Sequence, residues 1–168
     1  MQKTVAQFFD ETVDGIVEKL MRHWGINEIQ RASFDPNSLK ASGLDCVVSL
    51  RFSGVILGVN LLVCRSDFGK VLSRSVLGGL EDDELADSSD LLREMLNVIT
   101  GNLLPAFYGT DVPFDLGVPE IGNTNSFNSL LSKGQIYPFS IAGQTVVLCA
   151  QFEPNVTVRD ERSECTQS

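Results

Sequence analysis

The segment SSDLLREMLNVITGNLLPAF, residues 88–107, spaces its apolar residues with the period of an α-helix. Leu92, Met95, Leu96, Ile99 and Leu103 fall on one side, which predicts the buried face. Asp90, Glu94, Asn97 and Gly101 follow one another at steps of four, three and four, so they share one stripe on the other side. An acidic first turn suits the positive end of a helix dipole and by itself predicts only a solvated face. Asn97 does not fit that account. Asparagine favours caps and turns over helix interiors, so its place in the third turn points to a use for its side chain. Gly101 reads either as a packing glycine or as room for a partner. Ser88 or Ser89 is expected to cap the helix, and Pro105 to kink or end it.

The same pattern occurs earlier in the chain. FFDETVDGI (8–16) overlays LLREMLNVI (91–99) without a gap, at the offset between residues 8 and 91. Glu11 then meets Glu94, Asp14 meets Asn97, and Pro36 meets Pro119. Residues 3–23 therefore read as a first long helix, with Phe8, Phe9, Thr12, Val13, Ile16, Leu20 and Met21 on its apolar face. Each helix leads into a strand pair: residues 44–65 turn at Ser53–Gly54, and residues 135–154 turn at Ala142–Gly143. A short strand precedes Pro36, and PFDLGVPEIG (113–122) reads as a strand ending near Pro119. SDFGKVLSRSVLGG (66–79) reads as a short helix capped by Ser66–Asp67 and closed by Gly78–Gly79, while residues 123–134 form a polar connection. The pattern predicts an α/β (α+β) fold: a duplicated helix-plus-three-strand unit, with two long helices packed on an antiparallel sheet. It forms a single domain over 1–158, with pseudo-repeats at about 3–65 and 86–155. A polar tail, 159–168, is expected to be disordered.

Composition narrows the setting. A net charge of −9 argues against nucleic acid, whose phosphates would repel the chain, and favours a partner with a basic surface. The longest apolar run, GVILGVNLLVC (54–64), is interrupted by Asn60 and is too short to cross a bilayer. The opening MQKTVAQFFDETVDG has acids where a signal peptide needs its apolar core, so a cytoplasmic location without membrane attachment is expected. Cys46, Cys64 and Cys149 sit in strand-like runs as small buried hydrophobes, and Cys165 lies in the tail. With no CxxC pair and with His23 remote from every cysteine, a metal centre is not expected. LGGLEDDE (77–84) lacks the lysine of a phosphate-binding loop.

DLLREMLNVITGN (90–102) resembles the signature of the CheC/CheX/FliY family of chemotaxis phosphatases. That signature is an Asp or Ser, three residues, a Glu, two residues, an Asn, and a Pro about twenty-three residues on. Asp90, Glu94 and Asn97 match it, and Pro119 falls one residue short of the usual spacing. The GN at 101–102 resembles the close of the motif in CheX-type members. In the first helix Gln7 and Asp14 stand where an Asp or Ser and an Asn are needed, which points to the CheX branch and one working site per chain.

The resemblance implies a hydrolase: an aspartyl-phosphate phosphatase acting on a phosphorylated CheY-like response regulator. It implies that Asn97 orients the attacking water and that Glu94 docks to a receiver lysine. Asp90, Gly101 and Pro119 would border the contact. No cofactor of its own is expected, Mg2+ being held by the receiver, and a homodimer is implied, joined through edge strands. The competing expectation is a non-catalytic adaptor of the same fold that binds a receiver or a flagellar-switch protein.

Overall fold

A computed structural model of the chain describes residues 5–78, 88–124, 128–131 and 133–154. The acidic stretch 80–87 and the tail 159–168 lie outside the described residues. The first unit runs α1 (Val5–His23), β1 (Ile29–Arg31), a 3₁₀ turn (Pro36–Ala41), β2 (Cys46–Gly54), β3 (Ile56–Cys64) and α2 (Phe68–Leu77). The second runs α3 (Ser89–Tyr108), β4 (Phe114–Leu116), β5 (Glu120–Gly122), α4 (Asn128–Leu131), β6 (Gln135–Ile141) and β7 (Gln144–Pro154).

The strands form one antiparallel sheet in the order β1-β6-β7-β3-β2-β4, with β5 also paired to β2. Exchanging the two units reverses this order onto itself. β1 of the first unit borders the β6–β7 hairpin of the second, while β4 and β5 border the β2–β3 hairpin of the first. Each unit thus completes the other's sheet.

Both faces of the central strands are covered, which is why β3 reads as a continuous apolar run rather than an alternating one. Leu62 and Cys64 join Val48 and Leu50 in the core beneath α1 and α3. Val59, Leu61 and Val63 face the other way and pack with Leu39 of the 3₁₀ turn and Leu131 of α4. In α1, Val13, Val17, Leu20 and Met21 are buried, whereas Phe8, expected inside, is exposed.

Three expectations need correction. Of the kink or end expected at Pro105, the end does not occur, since α3 continues to Tyr108. A proline deep inside a helix costs about 3 kcal/mol, but here it lies in the last turn. Leu103 and Leu104, just before the proline, are buried, and Phe107 packs against Phe9 with ring centroids 4.4 Å apart and the rings tilted by 60°. Pro119 does not end a strand either. It lies in a one-residue bulge between β4 and β5: Phe52 pairs with Leu116 and Ser49 with Glu120, three steps on β2 against four on its partner. Proline has no N–H to give to β2, so pairing lapses there and resumes at Glu120. Asp67 and Ser88 stand at the N-caps of α2 and α3 as expected, but neither makes a side-chain capping bond. Asp67 instead binds Arg65, at 3.0 and 3.2 Å, and Ser66 binds Asp45. Gly78 closes α2 in the left-handed conformation, as expected (φ 74°).

The Asn that interrupts β3 has a partner. Asn60 Nδ2 donates to Thr100 Oγ1 of α3 at 3.0 Å, and both residues are buried. This bond ties the helix to the centre of the sheet. Replacing Thr100 with valine keeps its shape but strands a buried amide donor, and should destabilise the protein by about 1–3 kcal/mol in urea unfolding. A change below about 0.5 kcal/mol would mean the bond contributes nothing net.

Candidate functional site on helix α3

The outward stripe of α3 is a consequence of what the helix buries. Leu92, Met95, Leu96, Ile99, Leu103 and Leu104 are all buried against the sheet and α1. At about 1.5–3 kcal/mol each, their burial far outweighs the cost of about 1 kcal/mol or less for a mid-helix Asn or Gly. Asp90, Glu94 and Gly101 are left exposed on the other side, and Asn97 is half-buried beside them. The sequence placed these four together, and the structure keeps them on one face.

The four residues differ in what they already contact. Asp90 is partnered: Arg93 Nη1 lies 2.6 Å from its Oδ1 and also donates to Ser89 Oγ at 3.1 Å. The stripe is therefore balanced by an arginine one turn on, though so exposed a pair contributes about 0–1 kcal/mol. Glu94 makes no ion pair, and the Asn97 side chain no hydrogen bond, with the described residues. Asn97 thus offers an acceptor and a two-hydrogen donor on one plane. A Cβ built on Gly101 meets nothing within 4 Å, so the fold does not need a glycine there. Pro119 stands apart on the sheet edge, half-buried, next to β5, which touches α3.

The first copy of the motif is engaged differently. Arg31 of β1 holds the Asp14 carboxylate through its Nε, and the same guanidinium lies 4.8 Å from the Phe139 ring centroid and 5.3 Å from that of Tyr137. Nothing in the local pattern near Asp14 announces this, because Arg31 arrives through the fold. Thr100, Arg93 and Arg31 are the residues whose roles the sequence reading missed.

Two depressions flank the sheet. A groove with about 880 Å³ of open space runs between α1 and α3, lined by Glu11, Gly15, Ile16, Lys19, Val98 and Asn102 among others. A larger one, about 990 Å³, includes Val59 and Leu130, which belong to the core on the face away from the long helices. Size favours the second, but the unpartnered carboxylate and carboxamide of α3 favour the first face, and chemistry needs those groups.

Among the described residues no cluster of His, Cys, Asp and Glu has metal-binding spacing, and no helix is long and apolar enough to cross a membrane. Cys46, Cys64 and Cys149 are free and buried, and Cys46 faces Cys64 across β2 and β3.

Comparison with known proteins assigns the family and the fold. The family model for the chemotaxis phosphatase CheX matches residues 46–140, more than half of the sequence. The chain belongs to the CheX family. A chain of the CheX–CheY–BeF3–Mg2+ complex from Borrelia burgdorferi is 15% identical, with 90% of this chain and 99% of that one covered and a TM-score of 0.61. CheX of Vibrio vulnificus is 13% identical, with 90% and 100% covered and a TM-score of 0.63. FliY of Thermotoga maritima is 16% identical, with 89% and 91% covered and a TM-score of 0.54. At such identities the likeness establishes the fold. No curated protein sequence matches the chain.

Burial pushes the Cys149 thiol up to about 11 and the Tyr137 hydroxyl up to about 12. Both groups are raised in the fold, so their stabilising effect is complete below the ordinary values of 9.0 and 10.0 and is lost as pH climbs through 11 and 12. The urea midpoint should therefore fall between pH 8 and pH 11, and Cys149 should resist a thiol reagent at pH 8 until urea is added. Equal midpoints, or prompt labelling of Cys149 in the native protein, would contradict this.

Proposed function

We propose that this chain hydrolyses the phosphoaspartate of a CheY-like response regulator, with α3 entering the receiver's phosphorylated pocket. The observation that carries the reading is the pair Glu94 and Asn97, unpartnered on one stripe of a rigid helix in a CheX-family fold. The Borrelia burgdorferi complex, in which CheX meets CheY with BeF3 and Mg2+, supports a receiver as partner.

Phosphoryl transfer needs positioning and charge stabilisation more than covalent chemistry from the protein. The receiver brings its own Mg2+, and this chain needs no metal of its own. What it supplies is a water held in line with the phosphorus–oxygen bond that breaks. Asn97 Oδ1 accepts a hydrogen bond from that water, while the Nδ2 amide points its donor toward a phosphoryl oxygen. The water's oxygen attacks phosphorus, the aspartate carboxylate leaves with the bonding pair, and inorganic phosphate is released. The carboxamide stays neutral throughout.

Glu94, one turn earlier, pairs with a receiver lysine and sets the depth of insertion. Asp90, held by Arg93, lies at the edge of the contact, and Gly101 keeps the next turn bare for close approach. Pro119 shapes the neighbouring sheet edge. The working form is a cytoplasmic homodimer, joined through edge strands. An adaptor of the same fold would bind the phosphorylated receiver without speeding its decay, so loss of phosphate from a phosphorylated CheY-type receiver, with and without this protein, separates the two readings.

Asn97→Ala should lower turnover by about 100- to 1,000-fold, the usual cost of one positioning group, while changing stability by less than about 0.5 kcal/mol. Turnover within about twofold of wild type would remove Asn97 from the mechanism.

Asp14→Ala should leave receiver dephosphorylation unchanged. Asp14→Asn in the Asn97→Ala background should restore nothing measurable, because Arg31 occupies that position of the first helix. Recovery of turnover in the double variant would show that the first site is competent.

A further inference from the structure

The groove between α1 and α3 has features that neither helix needs for its own packing. Its floor is apolar, with Ile16 and Leu20 from α1 and Val98 from α3. Gly15 lies in its wall, and a Cβ there meets nothing within 4 Å, so the fold does not require a glycine. A helix-interior glycine is unfavourable relative to alanine, and its lack of a side chain leaves the groove open.

The two helices run antiparallel, since Phe9 near the start of α1 packs against Phe107 near the end of α3. In the groove Lys19 and Gly15 of α1 share a lining with Val98 and Asn102 of α3, the residues that follow Asn97 and Gly101. Lys19 is exposed, lines the groove, and makes no ion pair with the described residues. Packed helices lie about 8–10 Å apart, a span that an extended lysine side chain largely crosses. In a chain of net charge −9, Lys19 brings an ammonium to a groove that also holds the Glu11 carboxylate, one helix face away from the acidic stripe of α3.

We propose that the α1–α3 groove is a second docking surface for the phosphorylated receiver, and that Lys19 is a positioning residue at its rim. The inference rests on the reading of Asn97 as the water-positioning group. The receiver's phosphorylated pocket is anionic, from the phosphoryl group and the carboxylates that hold Mg2+. Lys19 answers that charge, where Asp90, Glu94 and the groove's own Glu11 would oppose it. An apolar side chain on the rim of the same pocket enters over Ile16 and Val98, and the bare backbone at Gly15 leaves it space. Lys19 then selects among receivers and holds the chosen one in register, and it takes no part in the bond that breaks.

The test uses the full chain and CheY-type receivers charged with beryllofluoride and Mg2+, taking the one that the wild type binds most tightly. Gly15→Leu fills the groove at a position where an added side chain has room and gains helix propensity, so the fold is retained. Lys19→Glu reverses the rim charge, and Lys19→Arg preserves it. Gly15→Leu and Lys19→Glu should each raise Kd for the charged receiver, and KM for the phosphorylated one, by about tenfold or more with kcat within about twofold. Lys19→Arg should stay close to wild type, and the salt dependence of Kd should be shallower for Lys19→Glu.

Unchanged Kd and KM in Gly15→Leu and Lys19→Glu would overturn the inference. A fall in kcat alone would overturn it too, by placing Lys19 in the chemistry. So would a change in oligomeric state by light scattering with receiver affinity intact, since the groove would then belong to a second copy of the chain. Asn97→Ala in parallel keeps the two readings apart. Its failure to slow turnover removes the proposed catalytic role, whereas the groove is judged by receiver affinity.

Discussion

The pairing of β3 with β7 is the interaction on which everything else rests. It runs from Ile56 opposite Pro154 to Val63 opposite Val147 and joins the two units at the middle of one sheet. The first unit has a hairpin and one short strand and the second a hairpin and two, and the short strands of each pair with the other unit's hairpin. Neither half can therefore bury both faces of its own strands. Only when β3 and β7 meet does the sheet become wide enough to carry two long helices on one face and the 3₁₀ turn with α4 on the other.

That platform fixes how α3 is rotated. Six apolar side chains of the helix go into the core, and Thr100 joins them because Asn60 waits for it in the centre of β3. A rotation of one residue, about 100°, would break the hydrogen bond and bring Asn97 toward the sheet. The polar stripe is thus held outward by apolar burial and aimed by one buried hydrogen bond. Rigid support of this kind is what the role proposed for Asn97 would need, since a loss of about 1 Å in placement is costly for a positioning group.

The two halves share a backbone plan and differ in side-chain chemistry at the corresponding point. Asn97 is uncharged and unpartnered, while Asp14 is charged and held by Arg31, whose guanidinium also covers Tyr137 and Phe139. The Asp14 carboxylate is thereby part of the junction between α1, β1 and β6.

Much of this was legible in the sequence because it depends on short-range periodicity. The helical spacing of Leu92, Met95, Leu96, Ile99 and Leu103 put Asp90, Glu94, Asn97 and Gly101 on the opposite face, and the gap-free overlay of 8–16 on 91–99 announced the second helix. Turn residues marked both hairpins. What the sequence could not determine came from contacts between distant segments. Pro105 is a helix breaker by local rules, and only the burial of Leu103 and Leu104 and the packing of Phe107 against Phe9 carry α3 past it. Pro119 looks like a strand end, and only the register with β2 reveals a bulge between two strands. Arg31 reaches Asp14, Asn60 reaches Thr100 and Lys19 shares a groove with Val98 because the sheet order and the antiparallel helix pair bring them there. Periodicity decides which face a residue takes, and tertiary packing decides what that face meets.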